Sequence, residues 1–444
     1  MAVATVTGHN RRGKTALFLC ACGCVGAAPH LLEAGRSLFP AITLAFVLGG
    51  YGLRTVLRGR EKFPNSSDIS ESDIESLDQK DWPNIDIVVA ARDEETVVKR
   101  LVEGLYSISY PDNKLSIWIV DDASKDKTPI ILDQLKQHFP TLNVLNRKPE
   151  EGGGKSGALN AALKKLKGEW LFVLDADAQL QDDLLKRMVF IAERNKWSAV
   201  QLRKAVVNAD QNPLTRIQAM EMAMDALIQK GRLVGGGVGE LRGNGQLLRR
   251  SVLEECGGFN EETLTDDLDL SFRFLISGSV IGLLWNPPVN EEAVETIPAL
   301  WRQRQRWAEG GLQRFFDYFP TLISNHLTIA QRRDLFCFFL LQYALPLVSF
   351  ADLITTIFTR SYPVYWPLSL IAFSISGLAF WRGCRIYSEG PAIPKPKPFL
   401  LIIAILYLVH WFFVIPWVTV KMVIFPKRLF WAKTKHKGQN TLQV

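Results

Sequence analysis

Residues that bind metals through sulfur or nitrogen, or that cross-link a chain, are scarce in this sequence. Of 444 residues six are cysteine and six are histidine, and no two cysteines form a Cys-x-x-Cys pair. Cys20, Cys22 and Cys24 share one apolar stretch while Cys256, Cys337 and Cys384 stand apart. The expectation is reduced thiols, with neither a disulfide framework nor a zinc site. Internal repeats and long low-complexity tracts are also missing. A further gap concerns phosphate binding. EGGGKSGALN at 151–160 looks like a phosphate loop, but the Walker pattern needs a glycine five positions before its Gly-Lys pair, and Pro149 stands there. An ATPase is therefore not expected. Nothing points to nucleic acid, and no protein partner is implied.

Apolar residues, by contrast, are plentiful at 48% hydrophobic, and they are segregated. Two apolar stretches fall within 16–57, and three more at 335–358, 363–381 and 398–425. Each is near the ~20 residues a helix needs to cross a bilayer core. The first could be a signal peptide behind Arg11, Arg12 and Lys14, but a second stretch follows at once, so an anchor is expected. With Arg54, Arg58, Arg60 and Lys62 these cations flank the pair on the side that the positive-inside rule makes cytoplasmic. Residues 60 to 330 are then cytosolic, in an integral, multi-pass membrane protein. Three single late crossings would strand the basic tail, with Lys427, Arg428, Lys433, Lys435 and Lys437, on the far side. At least one late segment is thus expected to lie in the interface or re-enter. The net charge of +7 comes largely from these flanks, where basic residues usually meet anionic headgroups.

Composition divides the chain further. The expected parts are two N-terminal transmembrane helices in 1–60, an acidic linker in 61–83 too polar to fold alone, and a cytosolic domain in 84–330 ending in an amphipathic interface helix. Transmembrane or interfacial helices in 331–425 and a basic tail in 426–444 follow. Within the cytosolic part the short runs IDIVVAA, LSIWIVDD, LNVLN, WLFVLDADA and AVQLRKAV alternate with helical stretches. Strands buried on both faces and separated by helices indicate an α/β fold with a mostly parallel sheet. Ligands of such sheets bind at the carboxyl ends of the strands, and acidic clusters sit at those ends.

In VLDADA, Asp175 and Asp177 stand two residues apart at a strand end and point the same way. Hard oxygen donors of this kind suit Mg²⁺ or Mn²⁺ held together with a substrate diphosphate; a solvated, helix-capping turn is the alternative. In IVDDAS, Asp121 and Asp122 are placed to accept hydrogen bonds from a base or ribose, unless Asp122 or Ser124 simply caps the next helix. Lys155 and Asn160 offer polar contacts beside glycines that allow close approach. In EETLTDDLDL, Asp266, Asp267 and Asp269 begin a helix. Adjacent carboxylates repel, so a partly desolvated one has a raised pKa and can accept a proton near neutrality; N-terminal capping is the plainer reading. In WRQRQRWAEGG, Gln303, Arg306 and Trp307 fall at i, i+3 and i+4 on one helix face. Arginine there can pair with a diphosphate and tryptophan can floor a sugar or acceptor site, although a basic helix lying on a membrane gives a similar string.

In this order, over about 83–330, the motifs resemble the inverting family-2 glycosyltransferases of the cellulose and hyaluronan synthase type. The Asp-x-Asp at Asp175 and Asp177 and the Gln-x-x-Arg-Trp at Gln303, Arg306 and Trp307 are its most specific parts. The resemblance implies a single nucleotide-sugar-binding domain of GT-A type, with Glu94, Asp121 and Lys155 around the uridine. It also implies Asp175 and Asp177 at diphosphate and metal, and Asp267 as the catalytic base. The family's Thr-Glu-Asp appears as Thr265, Asp266 and Asp267, which keeps the base and changes its neighbour. RRGKTAL, GGKSGALN, GELRGNGQ, TDDLDL, RWAEGG and PKRLFWAKTKHKG extend a likeness over nearly the whole chain to glycolipid synthases of oxygenic phototrophs. That likeness implies UDP-glucose as donor and the sn-3 hydroxyl of 1,2-diacylglycerol, met in the lipid bilayer, as acceptor. A processive polysaccharide synthase using a UDP-sugar is the alternative.

Overall fold

The computed structural model describes residues 10–31, 34–64, 82–323 and 326–425. Most of the expected acidic linker and all of the basic tail lie outside the described residues. Helices α1 (Arg11–Ala27) and α2 (Ala34–Arg58) come first. An alternating run follows: β1 (Ile85–Ala91), α3 (Val98–Tyr106), β2 (Leu115–Asp122), α4 (Thr128–His138), β3 (Asn143–Arg147), α5 (Gly154–Leu163), β4 (Trp170–Leu174), α6 (Leu184–Arg194) and β5 (Ala199–Val206). After it come α7 (Pro213–Val234), β6 (Gln246–Arg249), α8 (Arg250–Glu255), α9 (Asp266–Ile276), β7 (Ile281–Glu291) and α10 (Ile297–Leu322). The remaining helices are α11 (Ile329–Phe339), α12 (Leu345–Thr359), α13 (Trp366–Gly383), α14 (Pro398–Leu408) and α15 (Trp411–Ile424).

Seven strands make one sheet in the order β3-β2-β1-β4-β6-β5-β7. β6 runs antiparallel to both neighbours and every other pair is parallel. Every residue of β1 and β4 is buried, because alternate side chains of a strand serve opposite faces and both faces are covered. Ile87, Val89 and Phe172 pack on one side with Leu101 and Leu105 of α3 and Leu185 and Met188 of α6. Val88, Val120 and Val173 pack on the other with Ala158 and Leu159 of α5, Leu253 of α8 and Phe274 of α9. In register Ala91 lies opposite Asp121 and Val89 opposite Leu174. The ends of β2 and β4 therefore flank the end of β1, about 10 Å apart, where the strand order changes direction and ligands of such sheets bind.

Two strands escape the sequence pattern. β6 has four residues, and β7 contains Pro287 and Pro288, which in sequence argue against a strand. Helix starts, in contrast, follow local chemistry. At α7 Thr215 N–H donates to Asn212 Oδ1 (3.0 Å) and Asn212 N–H donates to Thr215 Oγ1 (3.1 Å), with a proline in the first turn, a reciprocal cap that satisfies two otherwise orphaned donors.

Among the described residues four helices are long and apolar enough to cross a membrane: Arg11–Leu31, Leu38–Arg58, Ile329–Thr359 and Pro398–Ile424. They mark the chain as membrane-associated, and large apolar side chains such as Phe46 and Phe358 point outward. The stretch at 363–381 forms most of α13 but is not one of these four, and Gly383 at its end lies against the backbone of Ala223 in α7. The cations in the first turn of α1 make contacts within the protein. Arg11 pairs with Asp317 of α10 (2.5 Å), Lys14 donates to Phe316 O (2.7 Å), and Arg12 donates to Val423 O (3.1 Å) and Ile424 O (3.2 Å) at the end of α15. The first turn of α1 and the last turn of α15 thus meet beside α10. At the end of α2 the chain docks on α7 so closely that a Cβ on Gly231 would lie 1.9 Å from Thr55 O.

Candidate active site

The loops after β1 and β2 are stapled together by their own polar groups. Asp93 N–H donates to Ser124 Oγ (2.8 Å), Lys125 N–H to Asp93 Oδ1 (2.6 Å) and Lys127 N–H to Glu95 Oε2 (3.0 Å). Glu94 N–H donates to Thr128 Oγ1 (2.7 Å) at the first turn of α4. Glu94 and Asp121 are both buried at this edge. Burial pushes the Asp121 carboxyl above its ordinary pKa, opposed by hydrogen bonds from Ser124 and reinforced by Asp126 and Asp93. A buried acid with spare acceptor capacity beside a rigid double loop is suited to hold a polar ring such as a base or ribose.

The glycine run is explained without phosphate. Gly152, Gly153 and Gly154 all have positive φ, at 58°, 73° and 55°, a conformation that side chains rarely tolerate. Arg147 at the end of β3 braces the loop, donating to Gly152 O (2.6 Å) and pairing with Asp122. Asp122 is thereby engaged by Arg147, with Arg92 at 3.7 Å. Asn160 is engaged too: its amide donates to Phe259 O (2.8 Å) and Glu261 Oε1 (2.8 Å) and accepts from Phe259 N–H (2.9 Å). Both residues hold the glycine loop and the segment before α9 in place.

The loop aims Lys155 at the end of β4. Its ammonium lies 2.5 Å from Asp175 Oδ1. Burial opposes the charge on Lys155, but Asp175 first, then Asp266 and Asp267, raise its pKa above the ordinary value. Asp175 is set in the cleft with 36% of its side chain exposed. Desolvation alone would raise its pKa, yet Lys155, Lys204 and Arg306 bring it down to about 2. Asp267 behaves oppositely: burial and the adjacent Asp266 push it up, against a backbone hydrogen bond and the pull of Lys155 and Lys204. The structure therefore brings Asp175, Asp267, Lys155 and Arg306 into one electrostatic cluster, from four separate stretches of sequence. Asp177, buried beside them, accepts a hydrogen bond from Glu292 N–H (3.1 Å).

Lys204 was not singled out by sequence reasoning. It stands 3.0 Å from Glu291 Oε2 and bears on both Asp175 and Asp267. The available signal was a lysine next to Arg203 near the end of the strand AVQLRKAV. Asn244 is a second such residue, fully buried, with its Oδ1 accepting Asp175 N–H (3.1 Å).

Helix α10 closes the cleft. Its glycine pair permits two contacts: a Cβ on Gly310 would fall 2.1 Å from Thr265 Oγ1, just before α9, and one on Gly311 would fall 1.9 Å from Tyr343 Oη. Asp269, one turn into α9, is locked by Arg273 (2.8 Å), Asn260 (3.1 Å) and Tyr318 (2.9 Å), so it orients the helix that carries Asp267. Gln303 and Arg306 are half-buried on α10. Trp307 stacks on Arg304, whose guanidinium lies 4.1 Å from the ring centre, pairs with Glu221 and donates to Tyr407 Oη (2.9 Å).

The sheet thus carries acids at its switch point, a lysine on Asp175 and, over the cleft, a helix bearing Arg306. The family described as Glycosyltransferase like family 2 matches residues 83–310; the chain belongs to it and is a glycosyltransferase. It is 41% identical over 433 residues to the beta-monoglucosyldiacylglycerol synthase of Synechocystis sp., covering 96% of this chain and 89% of the relative. It is 40% identical over 434 residues to the enzyme of the same name from Nostoc sp., covering 97% and 90%. Among solved structures, the mannosyltransferase PcManGT from Pyrobaculum calidifontis in complex with GDP-Man and Mn²⁺ superposes with a TM-score of 0.61 at 21% identity, over 86% of this chain and 98% of that one. That likeness carries the GT-A-like fold.

Proposed function

We propose that the chain is a membrane-bound inverting glucosyltransferase that moves glucose from UDP-glucose to the sn-3 hydroxyl of 1,2-diacylglycerol, forming beta-monoglucosyldiacylglycerol. The observation that carries the reading is the cluster of Asp267 with Asp175, Lys155, Lys204 and Arg306, in a chain that matches synthases of that name along nearly all of its length. Glu94 and Asp121 hold the uridine. Asp267 accepts the proton of the lipid hydroxyl as that oxygen forms its bond to the anomeric carbon. The bond from this carbon to the diphosphate oxygen breaks on the opposite face, UDP leaves with the electron pair, and the configuration inverts. A carboxylate with a raised pKa is a stronger base, and so better matched to this proton.

The leaving group is countered by Lys155, Lys204 and Arg306. A unit pair at 4 Å contributes about 4 kcal/mol at an effective dielectric near 20, so these cations together offset much of the charge on departing diphosphate. Gln303 and Trp307, near Arg306 on α10, serve the sugar and acceptor side. The donor set also fits a divalent cation. Asp175 and Asp177 would hold it; among the described residues no group of three or more His, Cys, Asp or Glu could hold a metal, so the rest of its shell would come from the substrate. Mg²⁺ characteristically takes one or two carboxylates and completes its shell with substrate phosphates. When bound there, Mg²⁺ or Mn²⁺ supplies Lewis-acid neutralisation of the diphosphate.

Four crossings, with the catalytic domain, the start of α1 and the end of α15 on the cytoplasmic side, satisfy the positive-inside rule. The contacts of Arg11 and Arg12 with α10 and α15 support this topology. The test is direct: purified full-length protein, radiolabelled UDP-sugars in turn, diacylglycerol in mixed micelles, and chromatography of the lipid phase. A single monoglucosyl lipid from UDP-glucose is expected. Long sugar chains would favour a processive synthase, and no lipid product with any UDP-sugar would overturn the reading.

A further inference from the structure

We propose that the cavity between α2, α7 and α11 is a binding site for an anionic phospholipid, separate from the catalytic cleft and independent of the assignment of donor and acceptor. The cavity encloses about 260 Å³ and is lined by Val47, Gly50, Tyr51, Arg54 and Arg58 of α2, with Arg232, Arg333 and Asp334 among its other walls. It sits where the second candidate span meets the catalytic domain, since Gly231 of α7 abuts Thr55 of α2.

Charge in this cavity is unbalanced. Asp334 is saturated by Arg232 (2.9 Å), by Tyr51 Oη (2.7 Å) and by Val238 N–H (3.0 Å), so its negative charge is neutralised within the protein. Arg232 is likewise held, by Asp334 and Glu240. Arg58 donates to Val234 O (3.3 Å) at the end of α7. Arg54 and Arg333 differ: both are exposed, and among the described residues neither has an acidic partner. This sets them apart from Arg11, whose charge is met by Asp317 (2.5 Å).

The walls also change character along α2. From Val47 to Arg58 is about 16 Å of helix, apolar toward the span and basic toward the catalytic domain. That gradient matches an amphiphile with its phosphate at the arginines and its chains toward the bilayer. Two guanidinium groups recognise phosphate oxygens by paired, charge-assisted hydrogen bonds, and basic pockets between spans on the cytoplasmic side are known to hold lipid headgroups.

Full-length protein in neutral detergent should be titrated with dioctanoyl phosphatidylglycerol, dioctanoyl phosphatidylcholine or inorganic phosphate, with binding read by native mass spectrometry and thermal unfolding. Phosphatidylglycerol is expected to bind and raise the melting temperature, with affinity falling as salt rises; the other two should do neither at the same concentration. Arg54→Gln with Arg333→Gln should weaken phosphatidylglycerol binding about tenfold or more, and the double lysine variant should restore part of it. Equal binding of phosphatidylcholine, equal binding of inorganic phosphate, or unchanged affinity in the double glutamine variant would each overturn the proposal.

Discussion

The half of the molecule proposed to hold the nucleotide, β1 to β4 with α5, and the junction half, where α7, α9 and α10 meet the spans, are held together by different physics. In the first, fully buried apolar strands pair in register and leave their acids at the rim. In the second, arginines do the joining, all of them buried except the partly exposed Arg242. Glu240 receives Arg232 (3.2 Å), Arg242 (3.1 Å) and Arg314 (3.1 Å), while Arg304 pairs with Glu221 and Arg273 with Asp269. Buried pairs add little net stability, yet removing one partner leaves an expensive orphaned charge. They do fix geometry. Arg242 also bears on Asp267, so the junction's ion pairs reach the proposed base. The two halves should accordingly fail in different ways.

The largest contrast comes from Glu240→Gln, which strips the shared acid from three arginines. It should destabilise the protein by about 3–5 kcal/mol, read as an early unfolding transition in detergent, while the folded fraction keeps its affinity for UDP. An unshifted transition would mean that the junction is not held this way. Arg306→Ala should do the reverse. Transfer should fall about 10²- to 10³-fold, the scale for losing one donor to developing charge, with melting unchanged; normal turnover would remove Arg306 from the leaving-group side.

Gly310→Ala lies between the two. Its methyl would collide with Thr265, costing about 1–3 kcal/mol of overpacking and shifting the turn that bears Asp267, so rate and stability should drop together. Loss of stability alone would separate Gly310 from catalysis. The smallest effect concerns pH. Asp267 must be ionised to accept a proton, so kcat/KM should fall as pH drops through a pKa above the ordinary carboxylate value. Asp266→Asn removes one of the causes of that rise and should move the acid limb to lower pH. A limb that stays put would detach it from Asp267.

The same contrast explains what the sequence revealed. IDIVVAA and LSIWIVDD match β1 and β2 residue for residue, because a buried strand and its terminal acids are local patterns. Asp175 and Asp177 were legible as acids following a buried strand, and Asp267 as one of an acidic cluster at a helix start. The junction was not, since nothing near Glu240 in sequence announces Arg314, and nothing near Arg304 announces Tyr407. Lys204 stayed hidden because its importance lies in facing Asp175 and Asp267 from a strand read as scaffold. Asp122 and Asn160 were legible as polar residues beside the site, but only the structure shows that Arg147 and the Phe259 backbone occupy them.

The central claim is that Asp267 is the base in the pocket formed with Asp175, Lys155 and Arg306, and one measurement addresses it most directly. Asp267→Asn should be assayed for glucosyl transfer to diacylglycerol and, on the same preparation, for UDP affinity. The account predicts a fall of about 10²- to 10⁴-fold in turnover with UDP bound as tightly as before. Turnover near that of the unaltered enzyme, with UDP affinity intact, would contradict it.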